Sequence, residues 1–228
     1  MRILNSLAVA ALLAGPALAD DARPVMAVTG EGQVQVAPDM ATVTMGVTND
    51  ADTARAALDA NSQAVAALLK ELATAGIEAK DIQTTGLSLG PRIDYSSGGG
   101  QKLLGYTASN MVTVEVRALD KLGGVLDSVV NEGANTLNGI SFGLQDPAPA
   151  TDEARKAAVV EARRKAELYA AAAGVKLGKL RSISENGGMA PPMPMAADAF
   201  AKGAAPVPVS AGQLSVSASV SLVYELAE

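Results

Sequence analysis

The sequence predicts an α+β fold in which an antiparallel sheet carries packed helices. Three observations predict it. Several runs alternate apolar and polar residues at a period of two, most clearly "QLSVSASVSLVYEL" near the C-terminus. Between such runs lie stretches with apolar residues at helical spacing, stopped at Gly76 and Gly174. The elements follow the order β-β-α-β-β-α-β-α-β-β, that of helices laid over antiparallel strands.

Val25 to Val36 alternates toward its end, with Val34 and Val36 on one face and Gln33 and Gln35 on the other. Pro38-Asp39 marks a turn. "MATVTMGVT", Met40 to Thr48, then alternates through Val43, Met45 and Val47. Two such runs joined by Pro-Asp predict an antiparallel hairpin. Asp50 or Asp52 is placed to cap a helix running to Thr74 or Ala75, with Ala54, Leu58, Val65, Leu69 and Leu72 on one face. Asp81 to Tyr95 is a strand interrupted by Gly and Pro, Ser96 to Gly100 a flexible hairpin tip, and Leu104 to Ala118 the returning strand. On that strand Val112, Val114 and Val116 share one face, and Thr113, Glu115 and Arg117 the other.

Leu119 to Asn131 predicts a shorter helix despite Gly123-Gly124, and Asn135 to Gln145 a strand. Thr151 can cap the longest helix, with Asp152 and Glu153 in its first turn, where the dipole favours acids. Ala154, Ala158, Ala162, Ala166, Tyr169 and Ala173 line one face of it. Lys156, Arg163, Arg164 and Glu167 line the other, and Glu161–Lys165 is an i,i+4 pair. Lys179 to Glu185 is a strand, residues 187–208 a flexible Gly/Pro/Met-rich loop, and Ser210 to Leu226 the final strand. The exposed alternation from Ser215 to Tyr224 is suited to offering a sheet edge to a neighbour.

The N-terminus is laid out for export. Arg2 is followed by the apolar run "LAVAALL", then Gly15-Pro16, then Ala17-Leu18-Ala19 before Asp20. That is a signal peptide over residues 1–19, cleaved between Ala19 and Asp20. The run is shorter than the roughly 20 residues a spanning helix needs. No later stretch reaches that length, so no integral span is expected. Residues 20–228 are then expected to form a single domain in the periplasm.

Eighteen basic side chains against 24 acidic ones give a net charge of −6, with two Phe, four Tyr and no Trp. Such a chain lacks the basic patches and stacking aromatics that nucleic acid requires. It also has no His and no Cys. That excludes Ser-His-Asp triads, Cys-His pairs, thiol redox chemistry and His/Cys zinc sites. Carboxylate, Lys, Tyr or Ser-Lys chemistry is what remains, and the S-x-x-K signature of the last is missing from the sequence.

Several motifs fall away on inspection. Gly139-Ile140-Ser141-Phe142-Gly143 fits a nucleophile elbow, which needs a strand–turn–helix corner and a histidine. Gly30-x-Gly32 would need a third glycine where Gln35 stands, and a helix after it. Glycines inside a strand instead signal a bulge or close packing. Asp50/Asp52, Asp152/Glu153 and Asp20/Asp21 read as caps, early-helix acids and a mature terminus. Met189, Met193 and Met195 place three soft thioethers together, a set suited to Cu(I). No catalytic residue and no cofactor follows from this inventory.

Five blocks then resemble a known family in order. They are "TGEGQVQVAPDMATVTMGV", "DIQTTGLSLGPRIDY", "GYTASNMVTVEV", "GANTLNGISFGLQD" and "EARKAAVVEARRKAELYAAAAGVKLGKL". They are similar to blocks of the SIMPL-domain family. The resemblance implies an α+β fold, an envelope location and self-assembly of the ring-like kind attributed to some relatives. It further implies a part in protection against oxidative stress, and for an animal branch the binding of a signalling kinase. It brings no catalytic residues. The expected protein is a non-enzymatic homo-oligomer of the envelope, whose protein partner the sequence does not name. The alternatives are a Cu(I)- or ligand-binding module and a channel-like oligomer at the outer membrane. Mass spectrometry of the exported chain is expected to find Asp20 as its first residue; an intact N-terminus would overturn the signal assignment.

Overall fold

β1 (Val25–Val36) does not fold back on β2 (Met40–Ala51). It lies antiparallel along β8 (Gln213–Ala227), in unbroken register from Val25–Glu225 to Val36–Leu214. β2 pairs instead with β4 (Lys102–Val116) and β5 (Thr136–Gly143). The expected hairpin is therefore wrong. The computed structural model describes residues 24–96, 100–185, 193–195 and 209–227. Its strands divide between two antiparallel sheets. One has the order β1-β8-β6, with β6 spanning Lys176–Glu185 and the three-residue β7 (Met193–Met195) also on β8. The other has the order β3-β4-β2-β5, with β3 spanning Ile82–Asp94. The helices are α1 (Ala54–Thr74), α2 (Leu122–Asn131) and α3 (Ala148–Ala173). The architecture is the expected α+β, with β7 added to the expected order.

The split follows from the side chains each strand offers. The inner face of β2 carries Val43, Met45 and Val47, and that of β4 carries Val112, Val114 and Val116. These large residues pack against Val65, Leu68 and Leu72 of α1 and Val125 and Val129 of α2. The inner face of β1 carries Val28 and then two glycines. α3 presents Ala154, Ala158, Ala162, Ala166 and Ala170 to it, all buried. A Cβ on Gly30 would lie 2.1 Å from the Ala158 carbonyl oxygen, and one on Gly32 2.0 Å from that of Ala154. The Gly-x-Gly pair thus seats a helix backbone directly on a strand. Val220, Leu222 and Tyr224 of β8 complete that cluster. The Pro38-Asp39 turn is tied to β5 rather than β1: the Asp39 N–H donates to Gly143 O at 3.1 Å, and Asp39 Oδ1 accepts the Gln145 N–H at 2.7 Å.

Other expectations shift. The final strand is no edge, since β8 is flanked by β1 on one side and by β6 and β7 on the other. Thr53, not Asp50 or Asp52, caps α1, its Oγ1 accepting the Ala56 N–H. The buried face of α1 is Ala57, Asn61, Val65, Leu68 and Leu72. It is turned away from Ala54, Leu58 and Leu69 because polar Asn61 occupies its centre. Asn61 Nδ2 donates to Val47 O at 2.8 Å and Ala108 O at 3.3 Å, tying the helix to two strands. α3 begins three residues before Thr151, because a proline in the first turn forfeits no helical hydrogen bond. Thr151 is buried and donates to Pro147 O. Tyr169 is exposed, its expected place taken by Ala170.

Among the described residues, no helix is long and apolar enough to cross a membrane. Residues 1–19, the Ala19–Asp20 junction, Met189 and most of the 187–208 loop lie outside the described residues. Gly32→Ala is expected to destabilise the fold by about 3 kcal/mol or more, since its methyl meets backbone rather than a movable side chain. Gly124→Ala, on open helix surface, is expected to stabilise by about 0.5–1 kcal/mol. Chemical denaturation of the two variants checks both.

Candidate functional site

The second sheet ends in β5 on one side. β5 bears no charged residue, and residues of α2 and β5 line one cleft. Between them lies a cleft of about 480 Å³. Its walls are Leu126, Val129 and Val130 of α2, Ala134 and Leu137, with Met45 of β2 among the lining. Asp127, Asn131 and Asn135 are its polar residues, together with Thr136.

Local structure fixes this shape. Beyond α2 the chain turns at Glu132-Gly133, and the Ala134 N–H donates back to Val129 O. Asn135 then acts as an extra rung of the sheet. Its Oδ1 accepts the Thr48 N–H at 2.8 Å, and its Nδ2 donates to Thr48 O at 2.7 Å. Past Leu137, Asn138 has no partner on β2, and Gly139 adopts φ 135° at the resulting bulge. That bulge accounts for the first glycine of the G-x-S-x-G match. Ser141 pairs with Thr42 inside β5, so no strand–turn–helix corner exists there. The cleft holds one acid and no base. Its walls are mostly apolar, with Asp127 the one ionisable side chain among the lining residues.

A second constellation lies at the other end of the sheet. Asp81, buried, receives two hydrogen bonds from Arg117, Nε to Oδ2 at 3.0 Å and Nη2 to Oδ1 at 2.7 Å. Arg117 also meets Glu115 at 3.0 Å. The Arg117 hydrogen bonds hold the Asp81 carboxyl below its ordinary value, and Asp81 in turn raises Arg117. Both stay ionised at neutral pH, so the pair acts as a clamp. It fastens the turn before β3 (Ala79–Asp81) to the chain at the end of β4.

The remaining candidates serve structure. Asp50 accepts from Arg92 at 2.6 Å and from Thr107 at 2.5 Å, anchoring the β3–β4 hairpin. Asp152 and Glu153 pair with Arg155 and Lys156 on the surface of α3. Glu161 is held by Arg164 and lies 3.7 Å from Lys165. Met193 and Met195 belong to β7, where Met193 pairs with Ser215. Among the described residues, no three acidic side chains gather around one point. Sequence reasoning missed Asn61, the Asp81–Arg117 clamp and the cleft. A polar residue at a buried helix position was the one available signal, at Asn61.

A family model, SIMPL, described as "Protein of unknown function (DUF541)", matches residues 26–224. The chain belongs to the SIMPL family. The match begins in β1 and ends in β8, the two strands that pair. The 26 kDa periplasmic immunogenic protein of Brucella melitensis biotype 1 is 39% identical over 210 residues, covering 88% of this chain and 84% of that protein. The uncharacterised protein YggE of Escherichia coli (strain K12) is 33% identical over 172 residues, 75% of this chain and 70% of its own. YggE of Edwardsiella ictaluri is 34% identical over 160 residues, with 70% and 67% covered. None of these names is that of an enzyme.

The clamp gives the SIMPL chain a pH signature. The carboxyl of Asp81 is depressed in the folded state, so its contribution is complete above its ordinary value and is lost as pH falls through the lower folded one. Asp81→Asn is expected to lower the melting temperature at neutral pH and to flatten its fall as pH drops below the ordinary carboxylate value of about 4. Parallel melting curves for both chains across that range would remove the clamp from the account of stability.

Proposed function

We propose that this SIMPL chain is a non-enzymatic protein of the cell envelope that acts by assembling with copies of itself. The observation that carries this reading is the apolar cleft beside the uncharged edge of β5, which among the described residues carries no further strand. Such a surface is a liability in a lone chain and an asset in an assembly. The signal pattern in residues 1–19 and the relative named as periplasmic support a periplasmic location, with residues 20–228 acting as one unit. The absence of His and Cys supports a role without catalysis. Protection against oxidative stress, as the family resemblance implies, is in this reading a property of the assembled particle.

A second reading, capture of Cu(I) by Met189, Met193 and Met195, rests on the spacing of soft thioethers. The fold adds to it that Met193–Met195 forms a strand. Static light scattering of the chain from Asp20 onward at micromolar concentration is expected to give a mass several times that of one chain. A monomer would overturn the assembly reading.

A further inference from the structure

Among the described residues no further strand pairs with β3 or β5, and these two edges of the second sheet are complementary. Every junction in the order β3-β4-β2-β5 is antiparallel, so β3 and β5 run in opposite directions. A second copy set beside the first in the same orientation brings its β3 antiparallel to β5. The two sheets then become one, and each edge satisfies the other's free backbone groups.

The side chains agree with that placement. Leu87 and Leu89 of β3 pair with Asn110 and Ala108, which puts them on the face that carries the helices. They are 64% and 44% exposed. Leu137 of β5 pairs with Met45 on that same face and is 55% exposed at the wall of the cleft. Their heights match as well. Leu137 lies level with Met45, Val112 and Thr84, and Leu87 with Val47 and Asn110, the next step along the same face. A lateral copy thus delivers two exposed leucines to an open apolar cleft.

Charge selects the same edges. The chain carries a net −6, so copies repel over most of their surface. β5 has no charged residue, and β3 has none from Ile82 to Gly90. No charge is therefore buried unpaired when they meet. The edges of the first sheet are guarded. Lys165 Nζ donates to Thr29 O on β1 at 3.1 Å, and β6 carries Lys176, Lys179, Arg181 and Glu185.

We infer that copies of this chain join edge to edge, β3 of one on β5 of the next, with Leu87 and Leu89 of one copy filling the Val130–Leu137 cleft of its neighbour. The inference rests on the self-assembly reading and names its contact. The contact is heterologous, since each copy uses one surface to give and another to receive. It propagates, and the twist between adjacent strands sets a rotation from copy to copy. Rotation that closes makes a ring.

The chain has no cysteine, so introduced thiols report without background. Leu137→Cys is mixed with Leu87→Cys or with Leu89→Cys, the two covering neighbouring registers, and oxidised. A disulfide-linked dimer is expected in at least one mixture, with no dimer from any single variant alone. The double variant Leu87→Cys/Leu137→Cys is expected to give a ladder on a non-reducing gel. Leu137→Asp, at an exposed site, is expected to lower the scattering mass while leaving the thermal transition of the single chain in place. A monomeric wild type would sink the assembly reading itself. An assembled wild type whose mixtures do not cross-link, or whose single variants link to themselves, would sink the edge contact alone.

Discussion

The close approach of α3 to β1 at Gly30 and Gly32 is the constraint on which the rest depends. Alanine buries little area per residue. A helix that meets its sheet through alanines must therefore come near enough for backbone to touch backbone and recover dispersion energy. Only a strand without Cβ atoms at those two positions allows it. That requirement takes β1 away from β2, whose valines and methionine demand a helix set farther out. With β1 claimed, β8 becomes its partner, and the chain divides its strands between two sheets.

The second sheet is held by different means. α1 is fastened by bulk and by one amide, Asn61, which reaches a carbonyl on each of two neighbouring strands. The faces turned away from the helices are finished with polar pairs in both sheets, Thr48–Ser109 in the second and Thr29–Ser221 and Gln33–Ser215 in the first. Those faces are comfortable in water. Of the exposed leucines in the second sheet, Leu87, Leu89 and Leu137 lie on its two edge strands, and Leu103 and Leu104 lie at the start of β4, past the last residue of β2 that pairs with it.

Much of this was legible in the sequence, and the failures have physical causes. Period-two and helical patterns located every long element, because burial on one face writes itself into local spacing. Partner choice is not local. "APD" between two strands looks the same whether the strands pair or part, and the reason β1 leaves lies in alanines more than a hundred positions away. Asn61 stands out in the sequence only as a polar residue at helical spacing from Leu58 and Val65, and its acceptors, Val47 O and Ala108 O, come together only once the strands are paired. The clamp and the cleft share that difficulty. In the sequence Asp81 opens a strand and Arg117 lies on the outer face of another, and the cleft draws its walls from α2, β2 and β5. The glycine pair was the exception. Its lack of a following helix already pointed to packing, and the packing partner was the only missing part.

The pairing of β1 with β8 also orders events in time. Thr29 and Ser221, bonded through their hydroxyls, are 192 positions apart. Contacts of such separation make folding slow, although the entropy of closing so long a loop grows only gently with its length. The first strand to emerge must therefore wait for the last before its sheet exists. For the exported chain proposed here, that delay is useful. In an exported chain β1 would cross the membrane without a partner to fold against, and the sheet would close only once the C-terminal strand had followed it.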